Sequence, residues 1–282
     1  MKKIFALIAA AAVLATACTK QNAAEKQLTK VTVSTCELTK TSMGGNEEGT
    51  RSVFWSVGDA ICINGVSSQN LTSEDINAAG TTATFKFEGL IDKPYNVYYP
   101  ASGYKDATTI TLPSVQGDAG GDNFANGAVP LYGYLEGEGG FKMHQLCAIL
   151  KIQLKKKTHA HDIKYVEFSG NGGEQVCGSF TLDYQTGALT PTSTASADRA
   201  VKVAASRTLS TEEVSVVNIC IPAGTYTDGF KVRVVDVSGH YMDKAKASES
   251  TIERGNIYVM SPFEFEPTGT IMDIEIDTGG TK

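Results

Sequence analysis

The residues best suited to metal binding or catalysis are few and poorly spaced. His159 and His161 flank one residue, and imidazole is a common zinc ligand, but no third ligand lies at a suitable spacing. Asp118, Asp122 and Asn123 offer oxygen ligands in a glycine-rich segment, yet their spacing departs from that of a calcium-binding loop. The GxSxG and HExxH patterns of hydrolases do not occur. We therefore expect no enzymatic activity, no metal site and no cofactor.

Cys18 is the side chain most clearly placed for chemistry. Two lysines and an apolar, alanine-rich run over 4–17 precede it, an order typical of a secretory signal. Small residues directly before a cysteine resemble the lipobox of bacterial lipoproteins, although Leu14 lies one place further out than the usual leucine. We expect residues 1–17 to be a signal peptide, Cys18 to carry acyl chains, and the polar segment 18–27 to be a lipid-anchored tether. The alternative is an ordinary secreted protein with a chance cysteine at the cleavage position.

Arg51 is the first arginine of the chain and ends a polar, glycine-rich segment that begins at Gly44. Exposed polar loops are preferred sites of proteolysis. An arginine-specific protease would separate residues 18–51 from the rest in one step. The alternative is a surface arginine in an ordinary hairpin.

Composition favours strands and turns over long helices. Charged residues make up 20% of the chain and glycine contributes 28 residues, with frequent serine and threonine. The formal net charge of −6 and a pI near 5.3 argue against nucleic acid as a partner. The chain is long enough for one large or two ordinary domains.

Short apolar segments separated by regular turns predict an all-β fold. The first begins near Lys30, where Val31 and Val33 alternate with polar residues. Many such segments suggest two β-sandwiches, which we place at 28–157 and 158–266, divided by a polar break. No convincing helix is predicted.

Three cysteines lie inside apolar runs: Cys62, Cys147 and Cys220. A thiol in such a run behaves as a small hydrophobic side chain. No CxxC pair occurs, so neither a zinc site nor a disulfide framework is indicated. We expect these cysteines to be buried free thiols.

The last segment, 267–282, forms a separate amphipathic strand pattern. Met272, Ile274 and Ile276 alternate with acidic residues after a Pro-Thr-Gly break. This segment is either the closing strand of the second sandwich or a donor strand for another molecule.

Several motifs together resemble one family. Segments 39–61, 141–150, 178–180, 221–226 and 254–258 are similar, in this order, to signature segments of Bacteroidales fimbrillin-like lipoproteins, the Mfa-like type V pilins. The resemblance covers essentially the whole chain after the signal peptide.

The resemblance implies a fold of two tandem transthyretin-like β-sandwich domains with Greek-key-type connections. It also implies delivery to the outer membrane and cell surface as a lipoprotein, with palmitate on Cys18. An arginine-specific protease would then remove the first strand, 28–38, by cleavage after Arg51. The subunit would assemble head to tail with other copies or related pilins into a fimbrium. Lys40 stands where many relatives have arginine, so the cleavage position stays open.

The competing function is a cell-surface lipoprotein that binds glycans or host ligands without polymerising. Carbohydrate sites usually need exposed aromatic platforms, which Tyr98, Tyr99, Tyr132 and Tyr134 could supply. Trp55 lies in an apolar segment and is expected in the core.

Overall fold

The computed structural model describes residues 28–35, 37–43, 49–121, 123–159 and 161–271, with the backbone alone described for 37–43 and 49–52. In these ranges the chain forms β-strands and three short 3-10 helices, and no α-helix. The predicted all-β fold class is thereby confirmed. No helix in the described part of the chain is long and apolar enough to cross a membrane.

The first half of the chain contains strands β1 to β13. They are β1 (Leu28–Ser34), β2 (Glu37–Met43), β3 (Gly49–Ser52), β4 (Cys62–Ile63), β5 (Val66–Ser67), β6 (Thr82–Glu88), β7 (Tyr95–Tyr99), β8 (Thr109–Leu112), β9 (Val115–Gln116), β10 (Leu131–Leu135), β11 (Phe141–Lys142), β12 (His144–Gln145) and β13 (Cys147–Lys156). The 3-10 helices η1 (Ser73–Asp75) and η2 (Ala101–Gly103) lie between them.

The second half contains strands β14 to β26 and the 3-10 helix η3 (Ser196–Arg199). The strands are β14 (Asp162–Gly170), β15 (Gly178–Leu182), β16 (Leu189–Pro191), β17 (Ala200–Val203), β18 (Arg207–Thr208), β19 (Ser215–Pro222), β20 (Gly224–Tyr226), β21 (Phe230–Asp236), β22 (His240–Lys246), β23 (Ser250–Ile252), β24 (Asn256–Met260), β25 (Phe263–Phe265) and β26 (Gly269–Thr270).

The described strands form six sheets. Their orders are β11-β1-β6, β12-β10-β7-β4-β5, β19-β13-β24-β2-β3, β26-β22-β21-β14-β17-β9, β16-β15-β8 and β20-β23. In addition, β25 pairs with β13 and β18 pairs with β14.

Alternation in the sequence explains most of the half-buried strands. In β6, Ala83, Phe85 and Phe87 are buried, whereas Thr84 and Lys86 between them are partly exposed. Because successive side chains of a strand point to opposite faces, this period of two gives the strand one apolar face. The sequence pattern is therefore enough to place β6 on a core.

Strand β13 is apolar on both faces because it separates two hydrophobic cores. Cys147 and Ile149 belong to the core that contains β1, β6 and β7. Leu150 and Ile152 belong to the core formed with β14, β19 and β21. A strand buried on both faces reads as a continuous apolar run, as Cys147–Leu150 does, although Lys151 and Gln153 interrupt the rest of β13.

The predicted division into 28–157 and 158–266 remains a prediction. Strands from opposite sides of that boundary pair in three of the sheets: β8 pairs with β15, β9 with β17, and β2 with β24. The two cores are therefore joined by shared sheets in the described part of the chain.

Two local expectations near the start of the chain are corrected. The first strand ends at Ser34, before the predicted end at residue 38, and a second strand begins at Glu37. Residues 49–52, of which 49–51 were expected in a loop, form β3, because their backbone pairs with β2.

The prediction of buried free thiols is confirmed for Cys62, Cys147 and Cys220. Cys177, for which no prediction was made, is also free and buried.

Candidate functional site

Strand β1 is the inner strand of a three-stranded sheet. It pairs antiparallel with β6 along its whole length and parallel with β11 at its end. Just beyond β1, Thr35 N donates to Thr81 O at 2.8 Å, and Ser34 O accepts from Met143 N at 2.9 Å. We name the space that β1 fills between β6 and β11 the β1 groove. Removing β1 would leave unpaired backbone groups on both walls of this groove.

The inward face of β1 is part of the first core. Val31 is 5% exposed and Val33 is 0% exposed. The indole Nε1 of Trp55 donates to Val33 O at 3.3 Å, and the Trp55 ring meets Phe85 edge-on with centroids 5.0 Å apart. At about 1.5–3 kcal/mol for each fully buried valine, the two valines contribute roughly 3–6 kcal/mol before ordering costs.

Two glycines allow close packing around β11: Gly140 approaches β1, and Gly133 of β10 approaches Phe141. A Cβ on Gly140 would lie 2.9 Å from Thr32 O, and a Cβ on Gly133 would lie 2.5 Å from the Phe141 ring. Both contacts are shorter than van der Waals packing allows, so these positions need glycine for close approach.

The outward face of β1 carries a like-charge pair. Lys30 stands directly opposite Lys86 of β6, and like charges in that position destabilise a sheet. Lys86 Nζ also contacts Asp75 Oδ1 at 2.5 Å, and its hydrogen bond lowers the pKa of Asp75 to about 2. The neighbouring pair, Thr32 and Thr84, brings its hydroxyl oxygens to 3.3 Å.

Strand β2 continues from β1 into a different sheet. It pairs parallel with β24, from Thr39 opposite Asn256 to Met43 opposite Met260. Its other edge carries β3, in which Arg51 stands opposite Leu38. β3 is the last strand of this sheet in the described part of the chain. The use of Arg51 as a cleavage site stays a prediction.

The chain leaves the described range along strand β22. Thr270 of β26 stands opposite His240, Thr268 N donates to Tyr241 O, and Ile271 N donates to Gly239 O, both at 2.8 Å. The predicted donor residues Met272, Ile274 and Ile276 follow directly and lie outside the described residues, as does the predicted lipidation site Cys18.

A buried carboxylate near this exit was not foreseen from the sequence. Asp236 is 3% exposed, and its Oδ2 lies 3.0 Å from His161 Nδ1 and 3.1 Å from His240 Nδ1. Burial raises the pKa of Asp236, but hydrogen bonds from both histidines and from His240 N outweigh burial and lower it overall. His161 thus has a structural partner, and its ring packs edge-on against Phe265.

The glycine-rich segment that suggested calcium instead contains an ion pair. Both carboxylate oxygens of Asp118 accept from Arg207, with Oδ2 at 2.9 Å from Nε. Asp122 lies outside the described residues. No group of three histidine, cysteine or acidic side chains in the described ranges is arranged to hold a metal ion.

The four tyrosines considered as an aromatic platform for the competing function are mostly buried. Tyr98 is 0%, Tyr99 6% and Tyr132 5% exposed, and Tyr134 is half-buried. The prediction that Trp55 lies in the core is confirmed at 4% exposure.

A cleft of about 670 Å³ opens beside the first core and is lined by Asp59, Tyr99, Asn70 and Asn126, among others. Tyr99 donates to Asp59 Oδ1 at 2.8 Å and accepts from Gly127 N at 2.9 Å. Burial raises the pKa of Asp59 and outweighs its hydrogen bonds from Ser56 N and Tyr99. Asp59 and Tyr99 are therefore both bonded to protein groups within this cleft.

Comparison with known proteins supports the fold. No protein-family model and no curated protein matches the sequence. Among solved structures, a proposed cell adhesion protein from Bacteroides ovatus ATCC 8483 is similar with a TM-score of 0.51 and 12% identity, over 87% of this chain and 95% of that one. A second proposed cell adhesion protein, from Bacteroides uniformis ATCC 8492, gives a TM-score of 0.40 and 14% identity, over 81% and 93%. The tip fimbrial protein Mfa3 from Porphyromonas gingivalis, with a C-terminal truncation, gives 0.34 and 12%, over 86% and 97%.

At 12% identity the first similarity establishes a shared fold. The resemblance to Bacteroidales fimbrillin-like proteins is confirmed as far as the fold: this chain shares the all-β fold of the proposed cell adhesion protein from Bacteroides ovatus. The tandem transthyretin-like arrangement stays a prediction.

Proposed function

We propose that this chain is a structural subunit of a fimbrium. It would be exported as a lipoprotein anchored through Cys18 to the outer membrane at the cell surface. An arginine-specific protease would cut after Arg51, and the subunits would then join head to tail by strand donation. The observation that carries the proposal is the position of β1, which is buried in the core yet lies entirely within the segment that one cut would release.

Excision would leave a defined acceptor. It would unpair β6 and β11 along the β1 groove and expose the apolar side chains that Val31 and Val33 now cover. An added strand supplies ladder hydrogen bonds and alternate side chains for such a groove. The donor segment and the β1 groove are different surfaces of the subunit. Each contact therefore leaves one free donor and one free groove at the two ends, and an open filament grows.

The proposed donor is the C-terminal segment that contains Met272, Ile274 and Ile276. It follows β26, which is fixed on β22, so the segment would extend from an anchored position. Three apolar side chains at about 1.5–3 kcal/mol each would contribute roughly 4.5–9 kcal/mol gross, before the cost of ordering.

A structural role also agrees with the fold and the polar groups. The Bacteroides ovatus protein that shares this fold is proposed to act in cell adhesion. The buried titratable groups Asp59 and Asp236 have protein partners that account for them. We therefore propose a non-enzymatic protein whose partners are further copies of itself or related pilins.

The test is polymerisation of the purified precursor after treatment with an arginine-specific protease. We expect a ladder of multimers that resist SDS at room temperature. Arg51→Lys should abolish the ladder, because the charge is kept but the protease no longer cuts there. Deletion of 272–282 should also abolish it, whereas the matched deletion of 279–282 should not. A ladder that survives the deletion of 272–282 would overturn strand donation by this segment.

The alternative is a non-polymerising surface lipoprotein that binds glycans or host ligands. The cleft beside Asp59 and Tyr99 is the observation in its favour, since its lining includes hydroxyl and amide groups. Binding of the uncleaved monomer on a glycan array, lost on Asn70→Ala, together with no ladder after cleavage, would favour this alternative.

A further inference from the structure

We propose that the tail of a second copy enters the β1 groove in the same direction as β1, with Ile274 in the place of Val31. This inference rests on the proposed function and specifies its register, its direction and the contact between subunits.

The apolar pattern of the tail matches that of β1 position by position. The aligned sequences are Leu28-Thr29-Lys30-Val31-Thr32-Val33-Ser34-Thr35 and Ile271-Met272-Asp273-Ile274-Glu275-Ile276-Asp277-Thr278. Ile276 then takes the place of Val33, the most deeply buried residue of β1, and Thr278 takes the place of Thr35, which is 7% exposed. Every inward position receives a residue of equal or greater apolar size.

The structure disfavours registers shifted by two residues. A shift toward the end of β1 would place Thr270 in the groove, although Thr270 is paired with His240 in its own subunit. A shift the other way would place Thr278 at the fully buried position of Val33 and bury a hydroxyl there. The unshifted register avoids both costs.

Charges on the outward face set the direction. In this register Asp273 takes the place of Lys30 and stands opposite Lys86, so an opposite-charge pair replaces a like-charge pair. Asp277 takes the place of Ser34, which is paired with Lys142 of β11. The reverse direction, with Ile274 kept in the place of Val31, would bring Glu275 opposite Lys86 but Asp277 opposite Glu88. The same-direction arrangement therefore has two opposite-charge pairs and no directly opposed like-charge pair, whereas the reverse arrangement has one of each.

These outward pairs are the closely spaced ones of the ladder. Thr35 N bonds to Thr81 O on the β6 side, whereas Ser34 O accepts from Met143 N on the β11 side. Odd positions of β1 therefore bond to β6 and even positions do not. Non-hydrogen-bonded antiparallel pairs have Cα atoms about 4.5 Å apart, which brings their side chains together.

The same register fixes the contact between subunits. Ile271, whose N–H donates to Gly239 O, would stand where Leu28 now forms a bridge with Gly89. No free linker remains between the two subunits, so the turn between β21 and β22 of one copy must approach the end of β6 in the next copy. Val237, 61% exposed, and Leu90, 74% exposed, are the apolar residues at the two sides of this joint.

Paired cysteines test the register directly. A full chain with Lys86→Cys and Asp273→Cys is cleaved, polymerised and mildly oxidised, then boiled in SDS without reductant. We expect covalent dimers and higher multimers, because the paired Cα atoms fall within disulfide range. The matched chain with Lys86→Cys and Glu275→Cys should give none, since position 275 would stand opposite Thr84. Each single-cysteine variant is the background control. The native cysteines Cys62, Cys147, Cys177 and Cys220 are buried, so they should not contribute to cross-linking.

The outcomes separate this inference from the proposed function. Covalent multimers from the pair at positions 86 and 275 would overturn the register while strand donation stands. The same conclusion would follow if the polymer forms normally but neither cysteine pair is cross-linked. A polymer that forms without residues 272–282 would overturn both. A kinetic measurement gives a second check: Asp273→Lys should slow polymerisation about 2- to 5-fold, and Glu275→Lys, on the same face but opposite a threonine, should change it less than half as much. Equal slowing by both would contradict the pairing with Lys86.

Discussion

The substitution Val33→Ala tests whether β1 stabilises the core of the precursor and no longer contributes to stability once cleavage has removed it. Val33 is fully buried among Phe85, Trp55 and their neighbours. Truncation to alanine removes two buried carbons, worth about 0.8 kcal/mol each, and leaves a small cavity that adds to the cost. We expect the free energy of unfolding of the precursor to fall by about 2 kcal/mol.

For a chain of this size, about 2 kcal/mol corresponds to a decrease in Tm of roughly 4–8 °C. Thermal unfolding followed by circular dichroism would measure it in the uncleaved protein. Lys30→Ala is the matched control, because Lys30 is an exposed residue of the same strand and its truncation should change stability by less than about 0.5 kcal/mol.

The decisive comparison is between precursor and polymer. Once residues 18–51 have been removed, the Val33→Ala and wild-type chains are identical, so their polymers should unfold at the same temperature. Phe85→Leu, a change in the wall of the groove, should destabilise both forms. If Val33→Ala and Lys30→Ala affect the precursor equally, β1 is not a core strand. If Val33→Ala still destabilises the polymer, β1 is not removed.

Three further predictions concern the cleavage position, the stability and polymerisation rate of a charge variant, and the pH dependence of stability. N-terminal sequencing of the surface form should find a start directly after Arg51, and a start at Cys18 would contradict processing there. Lys30→Glu should stabilise the precursor by about 0.2–1 kcal/mol opposite Lys86 and slow ladder formation, measured by gel densitometry; faster ladders would contradict it. Asp236→Asn should destabilise the precursor at pH 7. Because the pKa of Asp236 is lowered on folding, this difference should be complete above pH 3.8 and should be lost as pH falls from 3.8 through the folded pKa in a series of thermal scans; a pH-independent difference would refute it.

Short-range sequence patterns were sufficient to predict burial where the residues on either side of a side chain determine which face of the strand it lies on. The alternation of Val31 and Val33 with polar residues predicted a strand with one buried face, and both valines are buried. Trp55 and the cysteines in apolar runs were predicted in the core for the same reason. Local hydrophobicity determines burial in these cases, because every alternative would expose large apolar surface to water.

Long-range pairings were beyond such reasoning. β2 pairs with β24, more than two hundred residues later in the chain, and nothing in the polar segment Glu37–Met43 selects that partner. The apolar run Ile257, Tyr258 and Val259 does indicate a strand buried on both faces, which implies neighbours on both edges. It does not say which strands those neighbours are. The shared carboxylate of Asp236 escaped notice for the same reason, since His161 is remote from it in sequence.

The pairing of β2 with β24 means that one cut opens two sheets. Excision through Arg51 would remove β1 from the first core and β2 from the edge of β24, where Ile257 and Val259 are each 2% exposed. β24 keeps β13 on its other edge, so only the amides that point toward β2 should lose protection. Hydrogen exchange should therefore show alternate amides of β24 exchanging faster in the cleaved monomer than in the precursor, with those of β13 facing β19 unchanged as the internal control. Protection of β24 that is unaffected by cleavage would mean that residues 37–51 remain bound after the cut, and that only the β1 groove is available to a donor.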